Sequence, residues 1–321
     1  MDDATSASGG PGLILGHQQS AFNELVAIAR VCFSFDRYSA PVRLRTSTLI
    51  IGPTGSGKTW VAEAVAREMA VDYFHVSVSD WILMGSAAKG GAVTLSRICS
   101  FLRSCKNKPG AVIMIDEIEK LGGGAGTGGS GFTGSSIWTQ FLRLEAFQLL
   151  DLRLPNNLIE NDSDMVSPMA IAEATEVLRT KTLILAGGAF QEFWDKQSRP
   201  IIGFGRPSGK VDYPDLAELA DWLPKELVNR FRSRTVIIPP LKEEDYHRML
   251  EQTASRVCPG LRKTFLRLGK QRVIDAYQFQ QGARFMEELL LDTILAERAE
   301  MVNFRKEESP PGLSTDGLSF D

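Results

Sequence analysis

The octapeptide GPTGSGKT at 52–59 constrains this chain more than any other stretch. It follows an apolar run, TLII at 48–51, and opens an amphipathic segment, so a strand, a glycine-rich turn and a helix are predicted in that order. Gly52, Pro53, Thr54, Gly55, Ser56 and Gly57 would let the backbone wrap around phosphate oxygens, with N–H groups turned inward at a helix N-terminus. Lys58 is the residue type that reaches β- and γ-phosphates, and Thr59 carries the hydroxyl that ligates Mg²⁺ beside ATP or ADP. A glycine-rich turn matching by chance is the bland alternative, and the flanking strand and helix patterns disfavour it.

The second acidic signal is AVIMIDE at 111–117. An apolar strand there would deliver Asp116 to the metal side of the site, as a second Mg²⁺ ligand. Glu117, one position on, would orient and deprotonate the attacking water. Any buried strand can end in acids, but together with the phosphate loop the pair implies ATP hydrolysis rather than nucleotide storage.

Further strand candidates recur at YFHVSV, TLILAG and TVIIPP, with helical patterns between them, including one from about residue 17 to 33. Strands alternating with helices imply an α/β fold, a parallel sheet flanked by helices on both faces. After residue 240 only helical patterns remain, with a break at CPG (258–260), which implies a smaller all-α C-terminal domain. The expected organisation is a flexible leader at 1–12, a large α/β domain at 13–240, a helical lid at 241–305 and a disordered tail at 306–321.

Composition excludes several classes. A formal net charge of −3 gives no reason to expect a polyanion-binding protein. Four cysteines without C-x-x-C spacing and only three histidines suggest neither a zinc site nor a disulfide framework, and reduced thiols fit a cytoplasmic compartment. No apolar run is long enough to cross a bilayer, and the acidic, polar start is unlike a signal peptide, so no membrane partner is expected.

Taken together, GPTGSGKT, IMIDEIEKL, LILAGGAF (183–190), IIGFG (201–205), LPKELVNRF (223–231) and QGAR (281–284) resemble the AAA+ ATPases of the ClpX type. The resemblance runs from about residue 14 to 301. It implies a P-loop NTPase fold, a homo-oligomer in the form of a hexameric ring, and base contacts from Ile14 and Leu15 in ILGHQQ. It also implies a role for Arg230, in VNR, as the arginine finger reaching the γ-phosphate held by a neighbouring subunit. A planar guanidinium suits the negative charge spread over equatorial oxygens in the loose transition state. Arg284, in GAR, matches the second sensor arginine, which touches the nucleotide of its own subunit and couples its state to small-domain rotation. Gly187 and Gly188 stand where many relatives place a polar first sensor, and no catalytic role is assigned to them. Arg232 and Arg234, spaced alternately after Arg230, read as an interface or salt-bridge edge on one strand face.

The match departs at the pore. DWILMGSAAKGGAVTL (80–95) carries no aromatic at its GSAAKGG tip, and Trp81 reads as buried packing rather than an exposed paddle. GGGAGTGGSGFTG (122–134) and the polar insertion at 151–169 read as mobile or partner-binding segments. The zinc-binding N-terminal domain and the peptidase-docking tripeptide of ClpX are not found in the sequence. The expected function is that of an ATP-driven ring that remodels a protein substrate or partner effector. The alternative is an ATP-gated scaffold or switch assembling on nucleic acid or an effector, with nucleic acid the less favoured partner.

Overall fold

The computed structural model describes residues 14–34, 46–86, 93–122, 144, 168–198, 214, 216–231 and 234–307. Five strands form one sheet: β1 (Thr48–Ile51), β2 (Asp72–Ser77), β3 (Ala111–Asp116), β4 (Thr182–Gly188) and β5 (Thr235–Ile237). Their order is β2-β3-β4-β1-β5 and every pairing is parallel. All four residues of β1 and all seven of β4 are buried, which is why these strands read as unbroken apolar runs rather than alternating ones.

Alternate strand residues feed two cores. Leu49, Ile51, Ile113, Ile115, Ile184 and Ala186 pack on one face, against α4 (Val93–Ser104) and α5 (Pro168–Lys181). Ile50, Val112, Met114, Leu183 and Leu185 pack on the other, against α1 (Gln19–Ser34) and α2 (Lys58–Glu68). The remaining helices of this unit are α3 (Val78–Ser86), α6 (Gln191–Ser198), α7 (Leu216–Leu219) and α8 (Lys225–Phe231). Because the strands are parallel, β1 and β3 both deliver their C-terminal ends to the same edge, with only β4 between them, and a ligand crevice belongs there.

The chain divides after Pro240 into two compact units. The second holds α9 (Glu243–Arg256), α10 (Pro259–Gln278) and α11 (Arg284–Glu307). Its centre is Tyr246, whose ring lies against Tyr277 and Phe285 and whose hydroxyl accepts the Gly282 N–H at 2.8 Å. At Gly269 a Cβ would sit 2.2 Å from Leu250 Cδ1 and 2.9 Å from Leu289 Cδ2, so any larger residue there would require these leucines to shift. The helix reaches Glu307, two residues into the segment expected as tail.

Several expectations are refined. Trp81 is indeed buried, at 1% exposure. Arg230 lies in the last turn of α8, not on a strand with Arg234, and β5 starts only at Thr235. The reason is the helical spacing of Leu227, Val228 and Phe231, which all bury toward the sheet. Arg232, the pore tip at 87–91, the stretch 123–134, the insertion up to 167, IIGFG at 201–205, the leader to 13 and the tail from 308 lie outside the described residues. None of the helices among the described residues is long and apolar enough to cross a membrane.

Candidate nucleotide site

The loop after β1 folds as its glycines dictate. Gly55 and Gly57 take φ of +80° and +87°, in the left-handed region that side chains disfavour. A Cβ on Gly52 would sit 2.7 Å from both Ile238 O and Ser56 Oγ. Lys58, 8% exposed, begins α2 and donates from Nζ to the carbonyls of Gly52 at 2.8 Å and Pro53 at 3.2 Å. Burial lowers its pKa, against the opposing charges of Asp116, Glu119 and Glu117. The ammonium thus waits over the loop, satisfied by carbonyls that a phosphate would replace as partners.

Across the crevice the Thr59 hydroxyl donates to Asp116 Oδ2 at 2.6 Å, and the Glu117 N–H donates to Asp116 Oδ1 at 2.9 Å. His75 Nε2 stands 3.9 Å from Oδ2. Burial alone would raise the Asp116 pKa, but His75, the Thr59 hydroxyl, the Glu117 N–H and the Lys58 charge outweigh it and hold the carboxyl below its ordinary value. An ionised carboxylate beside a hydroxyl is the hard oxygen donor set that Mg²⁺ prefers.

Glu117 has φ +61°, a left-handed conformation costing on the order of 1–3 kcal/mol for a residue with a side chain. Its carboxylate accepts from Ser79 Oγ at 2.5 Å and pairs with Lys120 Nζ at 2.9 Å, while Lys120 also donates to Ser79 Oγ at 2.7 Å. Burial would raise the Glu117 pKa, and these two donors reverse it. Glu119 goes the other way. Burial raises its pKa, although the Ala189 N–H and Lys58 oppose, and Glu119 Oε2 is enclosed with no hydrogen-bond partner.

The fold therefore brings together the loop, Lys58, Thr59, Asp116 and Glu117. Leu15, 7% exposed, joins them through Gln18, while Ile14 precedes it and is partly buried. Arg230 stands apart on α8, and Arg284 is the first residue of α11 in the second unit. Ser79, Lys120, Gln18, His75, Glu119 and Gly187 were not given roles from sequence. The last matters because β4 separates the loop from Asp116, and a Cβ on Gly187 would lie 2.7 Å from Asp116 Oδ1. Gly188 completes the bridge by accepting the Gly52 N–H at 3.2 Å.

Residues 48–150 match the family described as "ATPase family associated with various cellular activities (AAA)". Residues 48–150 thus resemble an AAA ATPase domain. With the five-stranded parallel sheet this is a P-loop NTPase fold. A match to an ATPase family that encloses the loop, Lys58, Thr59, Asp116 and Glu117 indicates ATP hydrolysis.

Among similar proteins, the rice (Oryza sativa subsp. japonica) "ATP-dependent zinc metalloprotease FTSH 2, chloroplastic" is 26% identical over 255 residues, covering 75% of this chain and 35% of that protein. The "ATP-dependent zinc metalloprotease FtsH" of Rhodothermus marinus is 37% identical over 86 residues, covering 27% and 12%. That of Alkalihalophilus pseudofirmus is 36% identical over 109 residues, covering 33% and 15%. The aligned regions thus span about a third or less of the relatives' length. These relatives carry the FtsH name rather than that of ClpX, so the statement common to motifs and relatives is the AAA ATPase domain. Among the described residues, no cluster of three or more His, Cys, Asp or Glu side chains could hold a metal ion by itself.

Proposed function

We propose that this chain is a homo-oligomeric ATPase of the ClpX type, acting as a ring that uses ATP to remodel a protein or protein complex. The observation that carries the hydrolytic part is the hydrogen-bonded set of Thr59, Asp116 and Glu117 facing the glycine loop and Lys58 across one edge of the sheet. In this reading residues 52–57 hold the phosphates through backbone N–H groups, and Lys58 leaves its carbonyl partners for the β- and γ-phosphate oxygens. Thr59 and Asp116 hold Mg²⁺, which neutralises charge on the phosphates. Glu117 positions the water and takes its proton once its carboxylate is released from Ser79 and Lys120. Ile14 and Leu15 line the base. Arg230 completes the site of a neighbouring copy, and Arg284 reports nucleotide state to the helical unit.

The ClpX-type reading is supported by the LPKELVNRF and QGAR motifs, where Arg230 lies in the last turn of one helix and Arg284 begins another. The cytoplasm is the setting proposed, from thiols without pairing spacing. A second reading, an ATP-gated scaffold on nucleic acid or an effector, is favoured by the aromatic-free tip GSAAKGG, which offers no paddle to grip polypeptide.

The experiment measures ATP turnover with unfolded polypeptide or with nucleic acid added, and in mixtures of Arg230→Ala with Lys58→Ala chains. Polypeptide stimulation and recovery of activity in the mixture support the remodelling ring. Nucleic-acid stimulation that fades steeply with salt supports the scaffold. No recovery at concentrations where mixed oligomers form removes Arg230 from its role in trans.

A further inference from the structure

Gln18 is one of the few polar side chains fully enclosed in the large unit, at 1% exposure. It sits in a short 3₁₀ turn, Gly16–Gln18, ahead of α1, and both ends of its amide are engaged. Oε1 accepts the Leu15 N–H at 3.1 Å, and Nε2 donates to the Ser56 carbonyl at 2.9 Å. His17 Nε2 approaches the same carbonyl at 3.2 Å. Gln18 also presses on the next residue: a Cβ on Gly57 would lie 2.2 Å from Gln18 Nε2, at a φ of +87°.

The consequence follows from peptide geometry. In a trans peptide the C=O and the following N–H point in opposite directions. Holding the Ser56 carbonyl toward Gln18 therefore turns the Gly57 N–H to the opposite side, away from Gln18. Without that anchor the 56–57 peptide could rotate, because glycine at 57 offers little resistance.

We infer that Gln18 is a positioning residue for the phosphate loop: its amide fixes the Ser56–Gly57 peptide so that the Gly57 N–H faces the bound phosphates, and ties that peptide to the base-side segment at Leu15. This deepens the ATPase reading and rests on it.

The test compares ATP with tripolyphosphate, which lacks base and sugar, on the intact chain and on Gln18→Leu, with circular dichroism and melting recorded in parallel. The expected result is that folded Gln18→Leu binds tripolyphosphate about tenfold more weakly and ATP by at least that factor, as loss of a buried hydrogen bond and misdirection of a second predicts. KM for ATP rises by that factor while kcat holds, since the contact serves ground and transition states alike. Should Gln18→Leu fail to fold, Gln18→Glu keeps the size and the acceptor for Leu15 but faces the Ser56 carbonyl with an oxygen, and the same paired loss is expected.

A folded variant that melts earlier yet binds both ligands normally would show Gln18 to be packing alone. Loss of ATP binding with tripolyphosphate unaffected would confine it to the base. Wild-type chain that binds neither ligand overturns the ATPase reading along with this one, whereas normal wild-type binding with an unaffected variant overturns only the role of Gln18.

Discussion

The Ser79 hydroxyl donates a 2.5 Å hydrogen bond to the Glu117 carboxylate across 38 residues of sequence. Ser79 stands in the first turn of α3, directly after β2, and Glu117 directly after β3, so the pairing of β2 with β3 sets this contact. Lys120 closes a triangle with both. A carboxylate with two such donors is a weaker base than a free one, and the triangle describes a restrained state of the proposed base.

Removing the restraint is therefore predicted to quicken basal chemistry. Lys120→Met should raise basal kcat for ATP by about two- to tenfold with little change in KM, the scale of one exposed ion pair and one hydrogen bond. Steady-state kinetics decides it. A fall in kcat would mean instead that Lys120 holds Glu117 in its working position.

Gly187 tests whether the metal-side carboxylate tolerates displacement. Gly187→Ala adds a methyl 2.5 Å from Met114 Cε and 2.7 Å from Asp116 Oδ1. The Met114 tip can swing aside, but the Asp116 carboxylate, held by the Thr59 hydroxyl and the Glu117 N–H, must shift. Turnover should drop by about tenfold or more, because misplacement by a fraction of an ångström is costly at a reacting centre, while stability falls by only about 1–3 kcal/mol. Kinetics and denaturant melts on the same sample separate the two, and unchanged turnover would contradict the placement.

The helical unit has its own test. Tyr246→Phe removes the acceptor of the buried Gly282 N–H, just ahead of Arg284, and should destabilise that unit by about 1–3 kcal/mol, the cost of an unsatisfied buried donor. Hydrogen exchange through α9 to α11 should rise while β1 and β4 stay protected. Equal loosening of both units would contradict the assignment of this contact to the helical unit alone.

The sheet was legible in the sequence because strands buried on both faces must be apolar throughout, and TLII, AVIMID and TLILAG have no other way to be accommodated. The loop and its two acids were legible because phosphate chemistry demands those residue types in that order. Gln18, Ser79 and Gly187 were not, since each acts through a contact 38 or more residues away, created for Ser79 and Gly187 by strand pairing and for Gln18 by the turn ahead of α1 meeting the loop after β1. Gly187 was visible as a glycine, but its purpose lies in the space β4 must leave between its two neighbours. Arg230 was read by alternation on a strand, and the Leu227, Val228 and Phe231 spacing that buries one helix face was the overriding signal.

The central claim is that Glu117 is the base of an ATP-hydrolysing site whose binding apparatus is separate from it. It is tested most directly by measuring nucleotide affinity and turnover side by side for the wild-type chain and Glu117→Gln. The account predicts that Glu117→Gln binds ATP at least as tightly as wild type while turnover falls by about 100-fold or more. Turnover that persists near the wild-type rate with binding intact would contradict it.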